Sequence, residues 1–239
     1  TEAIQKAIDS GKTTLYLPKG QYKVAGTIEI RGKIERIVGC ESSLFFSKQP
    51  MPLLKVVDSP GSPDVVVIEH LIVEPGNDST AFDNASRRTA VIKHCKAFGG
   101  TSTGKGEIFY EDVVSGRLRQ YHYQPGQKIW ARQINVESRN DVTHMVNNGS
   151  QVWILGLKTE NPGILVETKN SGSTEILGHF AYGGMMQDTY NNFPMYLNNE
   201  SSTSISMGGA FFGTKTRPDI IVEDIQNSQS KKLKRTDVP

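Results

Sequence analysis

A repeat is the feature that most limits what this chain can become. Residues 152–160 (VWILGLKTE) are echoed by residues 174–182 (TEILGHFAY), so Ile-Leu-Gly returns after 22 residues. Upstream, Trp130 and Glu137 stand 23 residues before Trp153 and Glu160. A period of this length marks a solenoid, propeller or array, in which one short unit buries its apolar side only by stacking on the next.

The remaining chain fits such a unit. Short β-rich runs (27–30, 34–38, 44–46, 53–57, 65–73, 90–97, 107–114) are separated by Gly, Pro, Asn or Asp, which supply turns through their special backbone angles or side-chain bonds. No linker divides the body, so one domain over residues 1–226 is expected, followed by a loose polar and basic tail over 227–239. At roughly 22 residues per circuit the body holds about eight to ten coils.

Composition removes several function classes. A net charge of +2 creates no field that would draw a polyanion, so nucleic acid is not an expected partner. The basic run Lys231 to Arg235 reads as a solvated end. No apolar run reaches 18 residues, which leaves no membrane-spanning helix. Cys40 and Cys95 lie more than two coils apart, beyond disulfide reach, and read as buried free thiols. No Asp-rich calcium loop is visible, and neither metal nor cofactor is expected.

At the N-terminus, Ile4 and Ile8 share one helical face and predict a short helix that closes one end of the stack. Residues 1–8 (TEAIQKAI) and 15–22 (LYLPKGQY) resemble the opening of pectin-lyase-like right-handed β-helix proteins. The Gly-Asp-Gly and Asp-Asp of that opening are missing here, and the chain is expected to begin inside a longer one. Residues 130–160 are also similar to bacterial proteins of the pectate-lyase superfamily and of the family 55 glucanase type. Repeat and resemblance together predict an all-β fold, a single-stranded right-handed parallel β-helix. The resemblance implies an extracellular or cell-surface protein that acts on a polysaccharide. The Asn-x-Asp, Asp-Asp, Gly-His-Gly and Arg-x-Lys set of polygalacturonases, which share this fold, is absent, with Gly178-His179 only a fragment of it.

Strand alternation sorts the repeats into two sides. If Glu175 faces water, then Thr174, Ile176, Val152 and Ile154 point inward, and Trp153, Leu155, Trp130 and Arg132 point outward. Beyond the bend at Gly156, Leu157 and Thr159 turn in, and Lys158 and Glu160 turn out with Glu137 beside Glu160. Outward tryptophans next to carboxylates suit a sugar groove, because indole faces cover pyranose rings. The same residues equally suit packing under a loop or against another subunit.

Candidate chemistry follows from this outer ladder. Glu137 and Glu160, one coil apart, have the spacing of a retaining glycosidase pair. On a solvated face the same two carboxylates would instead be screened by Arg132 or Lys158. A lyase would draw its base and its cation from Arg132, Lys158 and Tyr182. Asp141 and His144 are reserve acid–base candidates, and Trp130, Trp153, Tyr182 and His144 are the expected substrate-binding set. Two function classes stay open: a polysaccharide hydrolase, lyase or binder, and a non-catalytic fibre-like subunit that forms homo-oligomers through its aromatics.

Overall fold

The computed structural model describes residues 1–46, 52–74, 80–115, 121–137, 143–160, 163–183, 193–211 and 218–238. Among the described residues one α-helix, α1 (Glu2–Ile8), precedes twenty strands. The first ten are β1 (Thr14–Leu17), β2 (Gln21–Val24), β3 (Ile28–Ile30), β4 (Arg36–Phe46), β5 (Leu54–Val56), β6 (Val65–Glu74), β7 (Phe82–Asn84), β8 (Thr89–Lys96), β9 (Gly100–Thr101) and β10 (Ile108–Ser115). The next five are β11 (Tyr121–Tyr123), β12 (Lys128–Glu137), β13 (Met145–Asn148), β14 (Gln151–Glu160) and β15 (Val166–Lys169). The last five are β16 (Ser173–Gly183), β17 (Tyr196–Asn199), β18 (Ser202–Phe211), β19 (Ile220–Gln226) and β20 (Gln229–Lys234).

From β3 to β19 successive strands alternate between two ten-stranded sheets, one ordered β1-β4-β6-β8-β10-β12-β14-β16-β18 with β2 also on β4, the other β3-β5-β7-β9-β11-β13-β15-β17-β19-β20. All pairings are parallel except β19 with β20. Each circuit of the chain therefore adds one rung to both sheets. The repeat seen in sequence is this step: Trp130 pairs with Trp153, Glu137 with Glu160, and Ile154 with Ile176.

Inside, aligned side chains form rows that run across the rungs. One row passes through Ile37, Ile68, Ile92, Tyr110, Ala131, Ile154 and Ile176. Each of these is 6% exposed or less, and the large Tyr110 sits beside the small Ala131, which keeps the row filled. Burying such an isoleucine contributes about 1.5–3 kcal/mol. At one end α1 covers the core with Ile4 and Ile8. Its Gln5 amide donates to the Glu29 carbonyl at 3.1 Å and accepts from the Glu29 N–H at 3.0 Å, which satisfies the edge of β3.

The long strands of the first sheet are bent at one aligned position. His70, His94, Asp112, Gln133, Gly156 and Gly178 occupy it in β6 to β16, all with positive φ. Glycine adopts this conformation freely, and other residues do so at some cost. The four N-terminal bends carry side chains that touch in sequence. Glu41 lies 3.7 Å from His70, the rings of His70 and His94 stack at 4.9 Å, and His94 Nδ1 is 3.1 Å from Asp112. Strand β18 has no counterpart to Gly178, since Leu177 pairs with Ser206 and His179 with the very next residue, Met207.

Two expectations change. The stretch from Asn227 is not a loose tail, because Asn227 and Ser228, both with positive φ, make a hairpin turn and β20 pairs with β19. Cys40 is exposed, whereas Cys95 is buried and burial pushes its thiol up to about 12. The glycine-rich stretch 99–106 holds a tight contact, with Gly104 and Gly106 N–H groups bonded to the carbonyls of Asn84 and Ser86 at 2.8 and 2.9 Å. Among the described residues no helix is long and apolar enough to cross a membrane.

Candidate functional site

The bend divides the outer surface of the first sheet into two facets. On the facet before it, one outward row runs Val67, Val91, Phe109, Trp130, Trp153 and Glu175. The adjacent row runs Glu69, Lys93, Glu111, Arg132, Leu155 and Leu177. From Val91 to Glu175 in the first row and from Glu111 to Leu177 in the second, these rows line an open groove of about 560 Å³. Its aromatic floor is packed edge to face: Phe109 and Trp130 centroids lie 5.3 Å apart at 76°, and Trp130 and Trp153 lie 4.5 Å apart at 83°. Such pairs favour this geometry because the electron-poor ring edge meets the electron-rich face. Trp153, 38% exposed, is the more open of the two indoles.

Charges on this facet are arranged in pairs. Arg132 Nη2 donates to Glu111 Oε1 at 2.7 Å, and Lys93 stands 3.7 Å from the same carboxylate. The bond from Arg132 holds the Glu111 carboxyl below its ordinary value, against a smaller opposing effect of desolvation. Glu111 was not singled out in the sequence. The signal was present, because Phe109-x-Glu111 has the spacing of Trp130-x-Arg132 one rung on.

Beyond the bend lie Asn135, Glu137, Lys158, Glu160, Phe180 and Tyr182. Lys158 Nζ donates to Glu137 Oε1 at 2.7 Å and also bonds Glu160 Oε1. Asn135 adds a bond to Glu137 at 2.8 Å. Desolvation works to lower the Lys158 pKa, but the bonds to Glu137 and Glu160 outweigh it and the ammonium is held above its ordinary value. Tyr182 pairs in register with Glu160, and its ring lies 6.5 Å from that of Phe180.

Of the two readings of this outer ladder, the geometry favours the screened one. Glu137 and Glu160 share one ammonium, the screened arrangement expected of a solvated face. Lys158 is tied to both carboxylates by its hydrogen bonds. Glu111 and Glu175, the carboxylates that line the aromatic groove, are three rungs apart, about 14 Å at about 4.8 Å per rung, and exceed the span of either glycosidase mechanism. Arg132 is taken up by Glu111.

His144, expected on the substrate face, is fully buried. It precedes β13 in the second sheet, where the chain turns its side chain into the core near His179. Asp141 lies outside the described residues. Thus Trp130, Trp153 and Arg132 come together on one facet, Glu137, Lys158, Glu160 and Tyr182 on the other, and His144 on neither. Among the described residues no group of three His, Cys, Asp or Glu side chains could hold a metal ion. Comparison with protein-family models, with curated proteins and with solved structures returned no match.

Proposed function

We propose that the chain is a right-handed parallel β-helix of the extracellular space or cell surface that holds a polysaccharide along the groove of Trp130 and Trp153. The supporting observation is the groove itself, an apolar concavity floored by two indoles and bordered by a few polar groups, the usual make-up of a ligand site. The right hand is favoured because parallel crossovers take it in nearly all sheets. Binding is assigned to the aromatic facet, and cleavage is not assigned to Glu137 and Glu160.

The chain has two tryptophans, both in this groove, so intrinsic fluorescence reports its occupancy. Titration with a panel of glycan oligomers is expected to shift the emission, and Trp153→Ala to weaken binding about tenfold through loss of ring-face contact. The double change Glu137→Gln with Glu160→Gln is expected to leave the affinity within about twofold. A larger loss in the double variant would move the site across the bend.

Assembly of copies through the same facet is the second reading. It draws on Leu155 and Leu177, which are 56% and 52% exposed and extend the apolar stripe without offering anything to a hydroxyl. Sedimentation separates the two, since an oligomer that Leu155→Ser or Trp153→Ala dissociates would favour assembly.

A further inference from the structure

Three charged side chains line the aromatic groove: Glu111, Arg132 and Glu175. Glu111 is bonded by Arg132 at 2.7 Å and has Lys93 at 3.7 Å on the border of the groove. Glu175 makes no ion pair or hydrogen bond among the described residues. Its register neighbours are Trp153 on one side and Ser204 on the other, and neither supplies a cation. The groove thus carries an unpaired carboxylate at its Glu175 end, one rung beyond the more open indole.

We propose that Glu175 is a specificity-determining residue, which accepts hydrogen bonds from neighbouring hydroxyls of a sugar lying over Trp153 and restricts the groove to neutral polysaccharides. This rests on the reading of the groove as a polysaccharide site. A carboxylate presents two acceptor oxygens to a pair of hydroxyls, and a bond to an ionised acceptor is about twice as strong as a neutral one. A polyuronate or sulfated chain carries its own anions on its repeating units. Laid along this floor, it brings like charges within a few ångströms over an apolar surface that screens them less than bulk water. Arg132 gives no relief, because Glu111 already occupies it.

The test is a fluorescence titration of the whole chain with a neutral β-linked glucose hexamer and with a galacturonate hexamer. At low salt the neutral oligomer is expected to bind at least about tenfold more tightly. Glu175→Ala is expected to weaken the neutral oligomer about tenfold. Glu175→Gln keeps an acceptor but removes the charge, so it is expected to narrow the discrimination to less than about threefold by admitting the uronate. Raising salt to about 0.5 M should narrow the discrimination in the parent and not in Glu175→Gln. Equal or better binding of the uronate by the parent, or unchanged discrimination in Glu175→Gln, overturns the role of Glu175 and leaves the groove standing. If neither oligomer shifts the emission, or if Trp153→Ala binds as the parent does, the groove reading itself falls.

Discussion

Replacing Arg88 by methionine is expected to lower stability by about 3 kcal/mol, although the residue lies far from the groove. Arg88 is 3% exposed in the turn between β7 and β8. Its guanidinium reaches back across two earlier circuits: Nε donates to the Pro63 carbonyl at 2.7 Å, and Nη2 to those of Ile34 at 2.5 Å and Val65 at 3.3 Å. Asn84 fixes the turn that presents it, donating to the Arg88 carbonyl at 2.9 Å and accepting from Ser86 Oγ at 2.7 Å. Desolvation pulls the Arg88 pKa down, opposed by the more distant Asp58 and Glu35. Methionine fills the space and removes the buried charge, but leaves three carbonyls without a donor. Lysine should cost at least as much, because one ammonium cannot span three carbonyls and is harder to dehydrate. Urea unfolding measures both variants, and a loss under about 1 kcal/mol in each would mean that the clamp contributes little.

Acid is expected to destabilise the fold well above the range in which carboxylates titrate. His179 stands in an inward row of Cys95, Val113, Ile134, Leu157 and Met207. Its Nε2 lies 2.8 Å from Thr159 Oγ1, and its Nδ1 bonds Tyr196 Oη. Burial, reinforced by the nearby His144, lowers the imidazole pKa from the ordinary 6.5 to about 3. The unfolded chain then binds the proton more readily than the folded one. The contribution is therefore intact above pH 6.5 and is lost as the pH falls toward 3, at about 1.36 kcal/mol per pH unit. The loss amounts to about 2 kcal/mol at pH 5 and about 4 kcal/mol at pH 3. His179→Gln should be less stable than the parent at pH 7 yet show most of this slope removed between pH 7 and 5. An unaltered slope in that variant would place the acid sensitivity elsewhere.

How far the sequence could be read depended on whether periodicity reached the residue in question. Inward Val152, Ile154, Leu157 and Thr159 and outward Trp153 and Lys158 were legible because alternation and a repeat of 22 to 23 residues both constrain them. Position 144 belongs to a turn before a four-residue strand, too short for alternation to say which way a side chain points, and there His144 was misplaced. Screening by Lys158 was legible as one of two readings, since Lys158 and Glu160 are two apart on one strand face and Glu137 is one rung away. The division into facets was harder to see. A residue with positive φ can be histidine, aspartate or glutamine as well as glycine in this chain, so only the glycine rungs announced the bend.

That bend also behaves as a frame-shifting insertion. Before it, inward residues of β14 fall at 152 and 154, and after it at 157 and 159, so one extra residue changes the phase of everything downstream in the strand. Straightening the strand with Gly156 kept as an ordinary residue would exchange the roles of Leu157 and Lys158, with the leucine in water and an ammonium facing the interior, whereas deleting Gly156 would keep the phase. Strand β18 shows the form without the extra residue. Ile205 and Met207 simply continue the two-residue rhythm, and Gly208 and Gly209 follow, so no large side chain is left on the wrong side.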